Sequence, residues 1–261
     1  MIAVCRRAMA PLARGFLTAV LTLAVPVAAF AQLHVITSGG FRAAYQAALP
    51  EFERITGITV TTGGGASQGD GPNTVGAQLR RGVQADVVIM ATEGLDNLVR
   101  DGYIAPGTAV DLAQTPTGVA IRTGGRKPAL STVASFTQAL LDAKSVGYVN
   151  STVGLYLKAT LFPRLGIADR IVPKLNGDGV AAVVRGEADF TIQPLSELTN
   201  IQGAEVVGVI PKDAQYISVF SAAIVNGAQQ ADAARALIAF LASSKADAAM
   251  TSSGMEPLRR R

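Results

Sequence analysis

Hydrophobic positions along the chain fall into short apolar runs that alternate with longer stretches of helical spacing. Residues 33–36 form the first apolar run and residues 37–40 a small polar turn, after which apolar positions recur at helical spacing to residue 55. Gly57 follows, a residue type that is common just after helix ends. The same order recurs down the chain, and it predicts an α/β fold of mostly parallel sheets flanked by helices.

These patterns form two groups, one on each side of a turn at residues 115–118. Predicted strands cover residues 32–37, 58–62, 85–90, 119–121, 145–149, 190–192, 206–210 and 217–225. Predicted helices cover residues 41–56, 73–81, 93–101, 135–142, 155–162, 180–185, 231–242 and 245–253, and a glycine-rich loop covers 63–72. We expect two lobes, residues 32–115 with 226–261 and residues 116–225. Ligand chemistry is expected in loops at the carboxyl ends of their strands.

The first 31 residues have the pattern of a secretory signal peptide. Arg6, Arg7 and Arg14 are followed by an uncharged stretch of 17 residues, which ends in the A-x-A sequence of residues 29–31. The alternative is an uncleaved membrane anchor, but a spanning helix needs about 20 apolar residues. We expect a mature chain that begins near residue 32, has no membrane span and lies in the periplasm.

Removal of this segment changes the charge and the available chemistry. The net charge falls from +4 to +1, because the segment holds three arginines and no acid. A nearly neutral chain loses the main support for nucleic-acid binding. Cys5 is removed as well, which leaves no thiol for catalysis or for a disulfide.

Residue sets typical of catalytic triads, metal sites and cofactor sites are missing. His34 is the single histidine, and it lies inside the first predicted strand, where a structural role is expected. The sequence has no G-x-S-x-G elbow, and the loop at 63–72 lacks the lysine of a P-loop. We therefore expect neither a metal ion nor a cofactor.

Small polar turns at helix starts are the main candidates for ligand binding. Four such turns, at residues 37–40, 66–68, 150–153 and 177–179, can present backbone N–H groups and hydroxyls to an anion, although each would also serve as an ordinary helix cap. The candidate residues in them are Thr37, Ser38, Gly39, Ser67, Gln68, Ser151, Thr152, Val153 and Asp178. Arg42 and Lys158 lie near two of the turns and are candidate contacts for a carboxylate ligand.

Five stretches, residues 35–39, 52–60, 84–89, 154–158 and 185–189, resemble the molybdate-binding-like periplasmic solute-binding proteins of ABC importers. The resemblance covers nearly the whole mature chain. It implies a type II binding-protein fold, in which two lobes close on an oxyanion held by serine hydroxyls and backbone N–H groups. By position it implies ligand contacts at Ser38, Ser67 and Val153, with a fourth at Asp178 or Gly179.

Residue 193 departs from the molybdate pattern. Molybdate-binding relatives often have a tyrosine after the corresponding strand, whereas this chain has Gln193, which we include among the candidate contacts. The turn at residues 193–198 is more similar to aconitate isomerases, exported members of the same family that move a proton between carbons of a tricarboxylate. Such chemistry needs a base in the cleft, for which Asp70, Glu93 and Asp178 are equal candidates.

Three hypotheses follow for the function. The leading one is a periplasmic protein that captures a small anion, an oxyanion or a small carboxylate, by closure of two lobes and delivers it to an ABC permease. The alternative is an aconitate isomerase-like enzyme that interconverts cis- and trans-aconitate on the same scaffold. A sensor or structural role outside transport is a third hypothesis. In each case we expect a monomer.

Overall fold

The computed structural model describes residues 32–258 of the chain. Helices and strands alternate through this part of the chain, as the sequence predicts. The predicted signal peptide at residues 1–31 lies outside the described residues. Between residues 32 and 258, no helix combines the length and the apolar character that crossing a bilayer requires.

Within the described chain, ten strands form one connected mixed sheet in the order β2-β1-β3-β9-β4-β7-β5-β6, with β8 and β10 paired to β4. The strands are β1 (Leu33–Ser38), β2 (Val60–Gly65), β3 (Val87–Ala91), β4 (Val110–Arg122), β5 (Val146–Gly147), β6 (Leu175–Asn176), β7 (Phe190–Pro194), β8 (Ala204–Val209), β9 (Ile217–Ile224) and β10 (Glu256–Pro257). The helices are α1 (Gly39–Thr56), α2 (Val75–Arg80), α3 (Thr92–Arg100), α4 (Val133–Asp142), α5 (Thr152–Tyr156), α6 (Phe162–Arg164), α7 (Ala168–Ile171), α8 (Val180–Arg185), α9 (Ala231–Leu241) and α10 (Asp247–Ser252).

The first half of the sheet is built on three parallel strands, β2, β1 and β3, with β9 antiparallel beside β3. β3 is apolar and buried at every position, as expected for a central strand covered on both faces. α1 packs against this half through Phe41, Tyr45 and Phe52, which share one face of the helix and are fully buried. The helix ends at Gly57, which has the left-handed φ of 70°.

The second half of the sheet contains β5, with β6 and β7 parallel on either side of it. Its core is separate from the core of the first half. Phe136 and Leu140 of α4 pack there with Phe162 and with Ile192 of β7. Two halves with separate cores form the two-lobed α/β architecture that the sequence predicts.

β4 connects the two halves of the sheet. The strand is 13 residues long, so the predicted strand at 119–121 is too short. β4 pairs with β9 up to Pro116 and with β7 and β8 from Thr117 onward. The turn-like residues 115–118 stay extended because distant groups hold them: the Thr117 hydroxyl donates to the Tyr216 carbonyl at 2.8 Å. β9, which the predicted division assigns to the second lobe, pairs with β3; the lobe boundaries themselves remain a prediction.

β2 extends into the predicted glycine-rich loop. Gly63, Gly64 and Gly65 pair in parallel with the last three residues of β1. The pairing uses backbone groups alone, so the absence of side chains does not prevent it. The end of β2 therefore presents backbone without side chains beside the start of α1. A side chain from another element can lie against this backbone.

Candidate functional site

The parallel strands of both halves end toward one cavity. β1, β2 and β3 end at Ser38, Gly65 and Ala91, and all three residues line a cavity of about 490 Å³. The second half contributes residues 149–153, which follow β5, and Pro194 at the end of β7. In open α/β sheets, ligands bind at the carboxyl ends of strands. This cavity is therefore the candidate ligand site.

Ser38 presents a hydroxyl to the cavity from the start of α1. It is the N-cap residue of the helix, yet its side chain makes no capping hydrogen bond. The residue is 2% exposed, and its Oγ has no partner among the described residues. A buried hydroxyl without a partner is costly, so this group is available to a polar ligand. Thr37, also predicted, is fully buried and does not line the cavity.

The first turn of α1 comes close to the cavity because it begins with two glycines. Gly39 and Gly40 both line the cavity. A Cβ at Gly40 would lie 2.2 Å from Cζ of Phe220, which packs against the helix start. Only glycine fits there, and it leaves the first backbone N–H groups of an 18-residue helix near the ligand position.

Three further serine hydroxyls line the cavity from other elements. Ser151 and Ser218 have buried Oγ atoms without a hydrogen-bond partner in the described chain. The Ser67 Oγ accepts a bond of 2.9 Å from the Ala91 N–H, which leaves its own proton available to donate. Of these three serines, Ser67 and Ser151 are predicted from their turns, whereas Ser218 lies inside β9 and has no local signal.

Residues 68 and 152 meet across the cavity. The Gln68 side chain, which follows β2, donates from Nε2 to Oγ1 of Thr152 in α5 at 3.1 Å. Thr152 and Val153 line the cavity. Gln68 lies beside the cavity, and its hydrogen bond to Thr152 connects the two halves. The two halves therefore meet over the site in this structure.

Arg42 brings a cation into the cavity. Its guanidinium lies against Gly64, where a Cβ would come within 1.9 Å of Nη2. Among the described residues it has no ion-pair partner, so its charge is available to an anionic ligand. Lys158, the other predicted cation, does not line the cavity; its Nζ lies 5.7 Å from the centre of the Tyr148 ring.

A carboxylate, that of Glu197, lines the same cavity. It lies in a 3₁₀ turn (Leu195–Glu197) that directly follows β7. Burial raises the pKa of this carboxyl, while a hydrogen bond from Gln193 acts in the opposite direction. That bond runs 2.8 Å from Gln193 Nε2 to Glu197 Oε2. Gln193, predicted as a ligand contact, is 3% exposed and does not line the cavity. It contacts the lining through its hydrogen bond to Glu197.

The three predicted candidates for a base lie elsewhere. Asp70 is exposed and outside the cavity lining. Glu93 accepts a hydrogen bond from the Tyr216 hydroxyl, outside the lining. Asp178 is exposed and pairs with Arg185. Its neighbour Gly179, the other residue offered for the fourth contact, is also absent from the lining.

The sequence indicated the turn that holds Glu197, but it did not indicate the role of this carboxylate. The turn at residues 193–198 carries the carboxylate, and the four-residue spacing places the Gln193 amide beside it. A polar residue at the end of a buried strand, followed by an acid one turn later, is the signal that could have indicated the pair. Between residues 32 and 258 there is no group of three or more His, Cys, Asp or Glu side chains that could hold a metal ion.

Comparison with known proteins places this architecture in a family. The family model of the bacterial extracellular solute-binding proteins matches residues 33–256 of this chain. An aconitate isomerase from Pseudomonas sp is 39% identical over 230 residues, which cover 87% of this chain and 88% of that protein.

Solved structures share the fold at low sequence identity. The periplasmic molybdate-binding protein of Azotobacter vinelandii has a TM-score of 0.69 at 20% identity, over 88% of this chain and 100% of that one. Peb3 of Campylobacter jejuni has a TM-score of 0.63 at 14% identity, over 86% and 99% of the two chains. These likenesses concern the fold, and the family match extends over nearly all the described residues. The chain belongs to the family of bacterial extracellular solute-binding proteins.

Proposed function

We propose that this chain is an exported enzyme that isomerises aconitate, interconverting the cis and trans forms in the cavity between its two halves. The observation that carries the proposal is that Glu197 and Arg42 line the same cavity. An ionised carboxylate repels an anion, so its place in the lining weighs against a site that only captures anions. Proton transfer, in contrast, needs an acid–base group beside the groups that hold the substrate.

The other lining groups suit a ligand with several carboxylates. Arg42 can hold one carboxylate through two parallel hydrogen bonds. The unpartnered hydroxyls of Ser38, Ser151 and Ser218 can donate to others. A volume of about 490 Å³ falls within the range of about 300–1,000 Å³ that is usual for sites of small organic molecules.

The reaction requires one proton to leave and one to enter. Aconitate loses a proton from its methylene carbon, and the electron pair of that C–H bond shifts into the allylic system. A proton then adds to the former vinylic carbon, so the double bond has moved and the composition is unchanged. The relative named aconitate isomerase, at 39% identity over 87% of this chain, supports this reaction class.

The second candidate is capture of a small anion for import by an ABC permease. The family match and the meeting of the two halves over the cavity favour it. The likeness to a molybdate-binding protein supports an oxyanion as the ligand, though only through the fold. Both candidates place the chain in the periplasm, where family relatives work, and a binding protein would deliver its ligand as a monomer.

Proton NMR of trans-aconitate in heavy water separates the two candidates. We expect the purified protein to produce cis-aconitate signals and to exchange deuterium into the substrate. Arg42→Ala should weaken turnover at limiting substrate by about tenfold or more, the size of a lost charge-assisted hydrogen bond. Arg54→Ala, which removes a surface pair with Glu51 on the same helix, is the control.

Two results would count against the isomerase. An unchanged spectrum would exclude it. If molybdate, tungstate or sulfate then raised the melting temperature, the protein would be an oxyanion-binding protein.

A further inference from the structure

We propose that Glu197 is the catalytic base of the site and that Gln193 is the residue that positions it. This assignment rests on the proposed isomerase function and adds the identity of the proton-accepting group. In the step concerned, Glu197 takes the proton from the substrate methylene carbon, and the C–H electron pair passes into the allylic system. The protonated carboxyl, or solvent that has exchanged with it, supplies the proton to the other carbon.

One oxygen of Glu197 faces the predicted anion site. A Cβ built on Gly39 would lie 3.3 Å from Glu197 Oε1. Gly39 is the first residue of α1 and follows Ser38, whose hydroxyl has no partner in the described chain. A substrate carboxylate at the start of α1 therefore brings its neighbouring carbon near Oε1. A base must lie within hydrogen-bond reach of the proton that it removes.

The second carboxylate oxygen of Glu197, Oε2, accepts a hydrogen bond from a residue outside the cavity lining. Gln193 Nε2 donates to Glu197 Oε2 at 2.8 Å, while Gln193 Oε1 lies 3.0 Å from the Thr191 hydroxyl. The Thr191 hydroxyl is also 2.9 Å from the Gly147 carbonyl oxygen. The amide lies close to Gly179, where a Cβ would come within 2.6 Å of its Oε1. In this arrangement the Gln193 amide turns its oxygen toward Thr191 and its N–H toward Glu197.

The other lining residues cannot replace Glu197. It is the one carboxylate among the described residues that line the cavity, and no His, Lys, Tyr or Cys lines it. Arg42 cannot lose its proton in a protein. Serine hydroxyls accept a proton from carbon only when another base activates them. Burial raises the pKa of Glu197, which strengthens it as a base relative to an exposed glutamate.

The first test is Glu197→Gln, which keeps the shape and can still accept from Gln193. We expect kcat on trans-aconitate to fall by about 100- to 10,000-fold, the usual contribution of a general base. The Kd for trans-aconitate, measured by calorimetry, should stay within a few-fold. The control is Glu205→Gln, which removes a partly exposed carboxylate that pairs with Lys127 on the surface. This variant should keep the wild-type kcat.

Wild-type protein is assayed first, so two failures are distinguishable. No turnover by wild type would overturn the proposed isomerase. Turnover by wild type together with near-normal turnover by Glu197→Gln would overturn only the assignment of the base.

The second test addresses Gln193. Gln193→Met removes the N–H that lowers the pKa of Glu197, so the acidic limb of the pH profile of kcat/KM should move to higher pH. Gln138→Met, which removes a similar 2.7 Å bond from an amide to Asp142 on an exposed helix face, should leave the profile in place. If Gln193→Met does not fold, Thr191→Val removes the hydroxyl that orients the amide and should shift the profile in the same direction. An unmoved profile in a folded variant would reduce Gln193 to a packing role.

Discussion

Gln68 and Thr152 are hydrogen-bonded across the candidate site, although 84 residues separate them in the chain. Gln68 follows β2 of the first half, and Thr152 begins α5 of the second. Their bond joins the two halves beside the cavity, so it forms only while the halves are together over the ligand position. A contact of this kind contributes to closure and hence to ligand affinity.

Gln68→Ala should weaken binding of trans-aconitate by about 2- to 10-fold, because one neutral hydrogen bond is worth about 0.5–1.5 kcal/mol. Calorimetric titration measures the change. Gln84→Ala is the matched control, since it removes a 3.1 Å side-chain bond to Gln229 on the surface of the first half. Equal affinity losses in the two variants would contradict a role in closure.

Gly64→Ala should displace the Arg42 guanidinium, whose Nη2 lies 1.9 Å from where the new Cβ would stand. The side chain is flexible at that end, so folding should be little affected. Affinity for trans-aconitate should fall by about tenfold, as expected when a charge-assisted hydrogen bond of about 1.5 kcal/mol is lost.

Gly63→Ala is the control for this change, because its Cβ would make an ordinary 3.7 Å contact with Ile36. Calorimetry gives the affinities and thermal melting checks the fold. Unchanged affinity in Gly64→Ala would show that Arg42 does not contact the ligand.

The fully buried Tyr45 should make stability fall in alkali. Burial raises its pKa to about 12, with the bond to Thr62 opposing the rise and the charge of Glu53 adding to it. An unfolded tyrosine titrates near pH 10, so between about pH 10 and 12 the unfolded chain loses its proton first. The free energy of unfolding should therefore decrease with pH, by about 3 kcal/mol in total from this residue.

Urea unfolding between pH 9 and 11.5 tests the effect of Tyr45. Tyr45→Phe should show a shallower decline than wild type. Parallel declines in wild type and Tyr45→Phe would contradict the prediction.

Glu197 should destabilise the folded protein at neutral pH, whatever its catalytic role. Its pKa is raised in the folded state, so as pH rises above the ordinary glutamate value the unfolded chain releases this proton first. Stability then falls with rising pH, through the folded-state pKa. Glu197→Gln should melt at a higher temperature than wild type at pH 7–8, and the difference should shrink toward pH 4. A lower melting temperature of Glu197→Gln at pH 7–8 would contradict this.

The sequence alone was enough to predict the local features of this protein. The apolar run of β3, the helical spacing of α1 and the stop at Gly57 depend on residues close together in the chain, so the α/β fold class and several element bounds follow from them. The hydroxyls of Ser38, Ser67 and Ser151 are predictable for the same reason, because helix-start turns have a local residue preference.

Tertiary structure alone decided which of these groups meet. β4 runs through a turn-like segment because Tyr216, 99 residues away, holds it extended. Arg42 and Glu197 reach one cavity because the start of α1 and the turn after β7 both line it, and Ser218 joins them from β9. Whether a carboxylate is exposed, paired or buried depends on such long-range packing. The sequence therefore offered Asp70, Glu93 and Asp178 as equal candidates, while the fold placed Glu197 in the cavity.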